Sequence, residues 1–235
     1  LTITITSFPY FPGGIGGATL VRPLAVYPLI VLIILITIPR LFNSELPKTF
    51  LPIAAFVIVA IASSIISLTF NLEPLFGVAF ESRLTRNLIT LLIGLSFYLT
   101  VSLLHKDWND MNFSLRWIYI GFAIALAWGT IQSVYVVYFN DTYFDIVNAI
   151  QNQVSTRRLF TTRVSGLTYE PKWFAEQISC LLMPLLLASI ISSKSVFKTR
   201  YKFLTIEWLL LVWSTGVIVF TFSRTGYLTV AAMAF

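Results

Sequence analysis

The chain has 235 residues, of which 57% are hydrophobic and 11% are charged, and its formal net charge is +6. Soluble domains carry about 25% charged residues, so this composition excludes an ordinary soluble globular domain. Several apolar runs reach about 20 residues, the length that an α-helix needs to cross a bilayer core of about 30 Å. Because these runs are continuous rather than alternating, the sequence predicts an all-α polytopic membrane protein.

The apolar runs predict six complete transmembrane helices and a truncated seventh. No internal repeat or soluble module is visible, so we expect one membrane domain over 1–235. The chain starts with Leu1 and ends inside an apolar run, and we therefore expect it to be a fragment. The predicted spans are 20–39, which Pro39 closes, 50–70, 87–104, 115–138, 171–192 and 206–222, with the seventh starting near Gly226.

Lysines and arginines in short loops normally mark the cytoplasmic side of a membrane protein. Here the two predicted sides carry nearly equal numbers, so this rule alone does not decide the orientation. We place the short basic segment "SKSVFKTRYK" (193–202) in the cytoplasm, which turns the long loop 139–170 outward. The positive net charge then reflects loop residues, and we expect no nucleic-acid partner.

The outward loop 139–170 is long for a connection between helices, and such loops are usually functional or disordered. Its segment "YFDIVNAIQNQV" (143–154) has apolar residues at near-helical spacing. This pattern predicts an amphipathic helix lying on the membrane surface.

The polar stretch "RVSGLTYEPKWFAEQ" (163–177) leads into the fifth span. Pro171 is a signal for the first helical position, and we expect the Glu170 carboxylate to cap the free backbone amides there. Lys172 and Glu176 are four residues apart and can pair along the first turn. A capped helix start with snorkelling charges is therefore as good an explanation of these residues as a ligand site.

Arg163 and Gly166 are less easily explained by folding alone. Gly166 permits either a tight turn or a close approach of a ligand to the backbone. Arg163 precedes it by three residues and requires an anionic partner. This pair indicates that the stretch contributes to a binding site.

A second polar junction, "FTFSRTGYL" (220–228), joins the sixth and seventh spans. Arg224 is bracketed by apolar runs, and a charge so close to hydrocarbon is by default a functional hypothesis. Ser223 is expected to cap the seventh helix, which places free amides beside a guanidinium as an anion site. The alternative is that Arg224 merely anchors a helix end among lipid headgroups.

Three more arginines lie on the predicted outer side. Arg83 and Arg86 precede the third span in "ESRLTRN" (81–87), and Arg22 stands at the mouth of the first. Each alone is explained by interfacial anchoring, but together they predict an outward cationic pocket suited to phosphate. We see no P-loop, nucleotide-sugar motif or metal-ligand cluster, and we expect neither metal nor cofactor.

The order of "RVSGLTYEPKWFAEQ", a long span, a basic loop, another span and "TFSRTGYL" resembles the O-antigen ligase and O-antigen polymerase superfamily of bacterial envelopes. The typical pattern is an R-x-S-G stretch, an N-P or E-P helix start, and a T-x-S-R-[GT] junction two helices later. The resemblance covers about 155–235, and upstream it extends only to hydropathy. The E-P version resembles exopolysaccharide polymerases slightly more than ligases.

The resemblance implies a GT-C-like fold and metal-independent glycosyl transfer in the bacterial inner (cytoplasmic) membrane, with the active face outward. The donor would be a glycan on undecaprenyl diphosphate, and the acceptor a saccharide on another repeat unit (polymerase) or lipid A-core (ligase). The catalytic group would lie in a downstream outer loop, and His105 is a poor candidate because it falls at the predicted cytoplasmic end of the third span. The implied diphosphate- and substrate-binding residues are Arg163, Arg224, Gly166, Glu170, Lys172, Ser223, Arg83 and Arg86.

Two other classes of protein remain open. One is a transporter or flippase of lipid-linked oligosaccharide, which would be expected to show inverted repeats, broken helices or ionisable groups deep within spans. The other is a non-catalytic membrane assembly protein, which would not need Arg163 and Arg224 on one face.

Overall fold

The computed structural model describes residues 2–6, 8, 23–43, 46–70, 77, 79–105, 107–155, 157–197, 200–201 and 204–234. Most of these residues are helical. Besides a 3₁₀ turn at Thr2–Thr4, there is one antiparallel pair, β1 (Arg200–Tyr201) with β2 (Leu204–Thr205). The helices are α1 (Val26–Asn43), α2 (Phe50–Leu68), α3 (Phe80–Leu104), α4 (Trp108–Val137), α5 (Asp141–Val154), α6 (Pro171–Ile191), α7 (Ile206–Val219) and α8 (Arg224–Ala234).

Five helices of the described part, α1 to α4 and α6, are long and apolar enough to cross a membrane. The prediction of a helical protein with several helices suited to crossing a membrane is thereby confirmed. α7 lies where the sixth span was predicted but has 14 residues, fewer than the roughly 17 that span a bilayer core as a helix. The predicted number of six complete spans therefore stays a prediction.

Several predicted boundaries are wrong. The first helix begins at Val26 and not at 20, and α4 begins at Trp108 and not at 115. Pro39 does not close the first helix, which continues to Asn43. α3 begins at Phe80, well before the predicted start at 87, so Arg83 and Arg86 belong to its first turns and not to a preceding loop. The start of α3 was missed because its first turns contain the polar residues of "ESRLTRN". A hydropathy pattern marks only the apolar part of a helix.

Pro39 is tolerated because a wider turn precedes it. A π-helical turn occupies Ile33–Thr37, and the same arrangement recurs in α6, where Ile178–Leu182 precedes Pro184. A proline inside a helix removes one backbone donor and crowds the carbonyl four residues earlier. The extra residue of a π turn shifts that carbonyl away, so both helices pass their prolines without ending.

The chain divides into two compact units, one of Val26–Asp110 and one of Leu1–Ala25 with Met111–Phe235. We call the second the site unit. In the first, buried Thr37 and Thr100 join α1 to α3 through a hydrogen bond of 2.8 Å between their hydroxyls. Helix α2 has no buried residue, as is typical of a lipid-facing helix. The prediction of a single membrane domain over 1–235 stays a prediction.

The core of the site unit forms where α4, α6 and α7 pack together. Its fully buried side chains include Phe122 of α4 and Phe174 of α6, with Ile218 of α7 only 2% exposed. Helix α8 joins this core through Gly226, where an added Cβ would lie 2.8 Å from the Cβ of Ala175. Small residues of this kind let helices approach closely, which stabilises helix pairs in a membrane.

The loop 139–170 contains the predicted helix, α5. Asn140 caps it, because its Oδ1 accepts a hydrogen bond from the backbone N–H of Tyr143 at 3.0 Å. Phe144 and Val147 are buried in a cluster with Tyr135 of α4. The apolar face of α5 thus packs at least partly against α4. The predicted position of α5 on a membrane surface stays a prediction.

Candidate anion-binding site

A cavity of about 460 Å³ lies between the loop that precedes α6 and the junction of α7 with α8. Its lining comes from the site unit alone. One carboxylate, that of Glu170, and four cationic side chains line this cavity: Arg157, Arg163, Lys172 and Arg224. Such an excess of cationic groups favours an anionic occupant.

The two arginines singled out by sequence line this cavity and come from two different segments of the chain. The backbone N–H of Val164, next to Arg163, donates a hydrogen bond of 2.9 Å to the carbonyl of Phe220 at the end of α7. This bond holds the Arg163 loop against the junction that carries Arg224. Arg163 and Arg224 thus line one cavity, and their predicted role in binding an anion stays a prediction.

Gly166 forms the tight turn after Arg163. Its φ of +57° lies in the left-handed region, where glycine is favoured. An added Cβ would lie 2.7 Å from the ring of buried Phe174, so the position also has no room for a side chain. Gly166 is buried and does not line the cavity. The structure thus shows the tight turn, while a ligand contact at Gly166 stays a prediction.

The start of α6 differs from the prediction in one respect. Glu170 occupies the N-cap position and Pro171 follows it, as expected, but the Glu170 side chain makes no capping hydrogen bond. Its Oε1 instead accepts a hydrogen bond from Nη1 of Arg157 at 3.1 Å. The carboxylate pairs with the guanidinium because a hydrogen bond from a charged donor is stronger than one from a neutral backbone amide. The first-turn amides of α6 thereby receive no cap from this carboxylate.

The predicted pair of Lys172 with Glu176 is present, with 3.6 Å between Nζ and Oε1. Both side chains are more than one third exposed, so the pair contributes little to stability. Its main consequence is to orient Lys172, which lines the cavity.

Arg157 was missed by the sequence reasoning as a site residue. Its guanidinium lies 4.5 Å from the ring centroid of Phe160 and 4.7 Å from that of Tyr169, in addition to its bond with Glu170. A planar guanidinium stacks on aromatic rings in a way that lysine does not. Three contacts thus fix Arg157 in the cavity wall. The sequence does show an arginine near several aromatic residues. The spacing of these residues along the chain does not reveal which rings contact the guanidinium.

The α7–α8 junction has the local geometry that the sequence predicts. Ser223 Oγ accepts a hydrogen bond from the backbone N–H of Gly226 at 3.3 Å, which confirms the capping role. Phe222 before it adopts a φ of +46°, an uncommon conformation for a bulky residue that often marks a functional turn. Arg224 is the first residue of α8 and is exposed.

Arg163 and Arg224 keep their charges unpaired within the described residues. The two ion pairs found there use Arg157 and Lys172 instead. Two unpaired arginines beside a capped helix start are an arrangement that binds phosphate well, since arginine presents a planar fork of donors.

The remaining predicted residues lie elsewhere. Arg83 and Arg86 belong to the Val26–Asp110 unit and do not line the cavity, so their predicted role in binding stays a prediction. Arg22 falls outside the described residues. Within the part of the chain that the structure describes, no group of three His, Cys, Asp or Glu side chains is placed to hold a metal ion.

Comparison with known proteins finds no match to this chain among protein families, curated proteins or solved structures. The fold and the site together define an all-helical protein with several helices suited to crossing a membrane and a cationic cavity at one end of its site unit.

Proposed function

We propose that this protein is a membrane glycosyltransferase that joins glycan repeat units carried on undecaprenyl diphosphate in O-antigen or exopolysaccharide biosynthesis. A polymerase is preferred over a ligase because the helix start reads E-P. The observation that carries the proposal is that Arg163 and Arg224, each from one of the two resembling motifs, line the same cavity. A GT-C-like architecture is part of the proposal.

The charge of the cavity suits a diphosphate. Four cationic groups and one carboxylate give its lining a net charge of +3, from 4 − 1. A diphosphate that is esterified at both ends carries about two negative charges at neutral pH, one on each phosphate. A second ionisation, with a pKa of about 6, occurs only on a terminal phosphate, which such a diester lacks. The volume of about 460 Å³ falls within the roughly 300 to 1,000 Å³ that is common for small-ligand sites. It therefore has room for a diphosphate and an adjoining sugar.

The reaction would transfer a glycan from this diphosphate to a hydroxyl. The acceptor oxygen bonds to the anomeric carbon, the bond from that carbon to the diphosphate oxygen breaks, and the diphosphate leaves with the electron pair. The hydroxyl proton passes to a general base. Arg163 and Arg224 would stabilise the charge that grows on the leaving diphosphate, and removal of one such donor typically costs about 10² to 10³ in kcat.

The proposal places the cavity on the outer side of the bacterial inner membrane, where the acceptor glycan would be found. The basic segment 193–202 would then face the cytoplasm. Arg116 of α4 donates a hydrogen bond of 2.9 Å to the carbonyl of Val196, which puts the start of α4 beside this segment. In the proposed topology Arg116 and the basic segment therefore lie on the same side of the membrane.

The proposal is tested by replacing Arg163 or Arg224 with Ala in the native host. We expect loss of long-chain polysaccharide while the protein remains in the membrane, as measured by chain-length profiles on gels and by immunoblotting of membranes. Arg158→Ala is the matched control, because Arg158 lies in the same loop and does not line the cavity. Unchanged profiles in both Arg163 and Arg224 variants would refute the site assignment.

A transporter or flippase is separated from a polymerase by using purified protein in detergent. A glycosyltransferase extends lipid-linked repeat units in micelles, where no membrane separates two compartments. A transporter leaves their length unchanged.

A further inference from the structure

Gln132 is a polar side chain with no exposed surface, within a helix long enough to cross a membrane. An amide in such a place costs free energy unless its donors and acceptors are used. The sequence-based reasoning assigned it no role. Its position on α4 faces the turn that follows Arg163.

The amide of Gln132 uses its full hydrogen-bonding capacity. Its Oε1 accepts from the backbone N–H groups of Ser165 at 3.0 Å and Gly166 at 2.9 Å. Its Nε2 donates to the carbonyl of Gly166 at 3.0 Å and contacts Oε1 of Gln151 at 3.5 Å. Two acceptor sites and two N–H donors are the complete set for a primary amide. A carboxylate or a thioether of the same length does not reproduce this set.

Gln151 fixes the orientation of this amide. It is 1% exposed, and its Oε1 also accepts a hydrogen bond of 2.6 Å from Nε1 of Trp128 on α4. Because that oxygen serves as an acceptor, the group of Gln132 that faces it must be the NH₂. The Oε1 of Gln132 is then directed at the turn.

The turn that Gln132 holds connects directly to the cavity. Ser165 and Gly166 follow Arg163 and Val164 in the chain, and Val164 is bonded to Phe220 at the end of α7. Both ends of this short segment are thus fixed, one by Gln132 and the other by the junction that carries Arg224. The position of Arg163 relative to Arg224 depends on both anchors.

We propose that Gln132 is a positioning residue of the anion site, which holds the Ser165–Gly166 turn so that Arg163 and Arg224 bind the same diphosphate. This inference rests on the proposed diphosphate site and names a residue that acts in it without contact to the ligand. Gln132 acts through Arg163, so its contribution to binding should vanish when the Arg163 guanidinium is absent.

A double-mutant cycle tests this dependence. The affinity for farnesyl diphosphate, a short-chain mimic of the polyprenyl diphosphate that leaves in the proposed reaction, is measured in detergent for wild type, Gln132→Met, Arg163→Ala and the double variant. We expect Gln132→Met to weaken binding by about tenfold in wild type, which corresponds to about 1.4 kcal/mol. In the Arg163→Ala background the same change should weaken binding by less than about threefold, because residues that act through one contact are not additive.

Ser133→Ala is the matched control for the cycle. Ser133 is the next residue of α4, and among the described residues its hydroxyl donates a hydrogen bond only to the carbonyl of Thr130 on the same helix. This variant should bind the probe as wild type does. Equal weakening by Gln132→Met in both backgrounds, or wild-type affinity of that variant, would overturn the proposal.

Folding of the variants is checked by melting temperature and by monodispersity in detergent. If Gln132→Met does not give folded protein, Gln132→Glu replaces it in the cycle, because it keeps the size and loses both N–H donors. Loss of folded protein in both variants would assign Gln132 a purely structural role and contradict the proposal.

The outcomes also separate this inference from the proposed function. If the cycle shows the expected coupling but the wild-type protein extends no glycan, the glycosyltransferase assignment fails and the positioning role stands. If the protein extends glycans and the cycle is additive, only the positioning role fails. If wild type does not bind the probe, the positioning role fails together with the diphosphate site.

Discussion

The turn at Gly166 supports a quantitative prediction, because both its backbone conformation and its surroundings exclude a side chain. The left-handed conformation costs a residue other than glycine about 1 to 2 kcal/mol. The Cβ of alanine would also lie 2.7 Å from the ring of Phe174, a contact closer than any real Cβ makes. Forcing such a group into a packed core typically costs about 1 to 3 kcal/mol.

We therefore expect Gly166→Ala to destabilise the protein by about 2 to 5 kcal/mol, the sum of the two costs. Phe174 is fully buried, so its ring has little freedom to move away. The change should lower the melting temperature in detergent by several degrees, as measured by intrinsic tryptophan fluorescence.

Gly216→Ala is the matched control in the same unit. Gly216 lies in α7 with nothing within 4 Å of an added Cβ, and its φ is not positive. Alanine should be tolerated there or stabilise the helix by up to about 1 kcal/mol. If Gly166→Ala melts at the wild-type temperature, or no lower than Gly216→Ala, then the reasoning on this turn is wrong.

Two further predictions concern Arg157 and Asn140. Arg157→Lys should bind farnesyl diphosphate about tenfold or more weakly than wild type, an effect close to that of Arg157→Ala. Lysine keeps the positive charge but cannot stack on the two rings or present the planar fork of donors. Wild-type affinity of the lysine variant in the same binding assay would contradict this role of the rings. Asn140→Ala should destabilise the protein by about 1 kcal/mol through loss of the α5 cap, as measured by thermal unfolding. The control Asn152→Ala, on the exposed side of α5, should have little effect. Equal melting temperatures for the two variants would count against the cap.

Much of the fold could be predicted from the sequence because membrane helices are signalled by long apolar runs. The predicted spans 50–70 and 171–192 correspond closely to α2 and α6. The start of α3 was missed because its first turns are polar, and Pro39 was taken as a helix end because the π turn before it leaves no mark in composition.

The candidate site could be predicted in part. The expectation that Arg163 and Arg224 lie on one side came from counting predicted spans, because two consecutive crossings would return the chain to the same side; the structure places both residues in the lining of one cavity. The contacts of Glu170 and Arg157 could not be predicted, because they depend on how the loop folds back over the start of α6. For the same reason Gln132 gave no signal: its partners are backbone groups of a loop distant in sequence.

The central claim is that Arg163 and Arg224 bind the diphosphate of a lipid-linked glycan donor during glycosyl transfer. The most direct test incubates the purified protein with undecaprenyl-diphosphate-linked repeat units and measures glycan length together with released undecaprenyl diphosphate. We predict longer glycans and released lipid for wild type and Arg158→Ala, and rates lower by about 10² or more for Arg163→Ala and Arg224→Ala. Wild-type rates in both of these variants, with the enzyme active, would contradict the account.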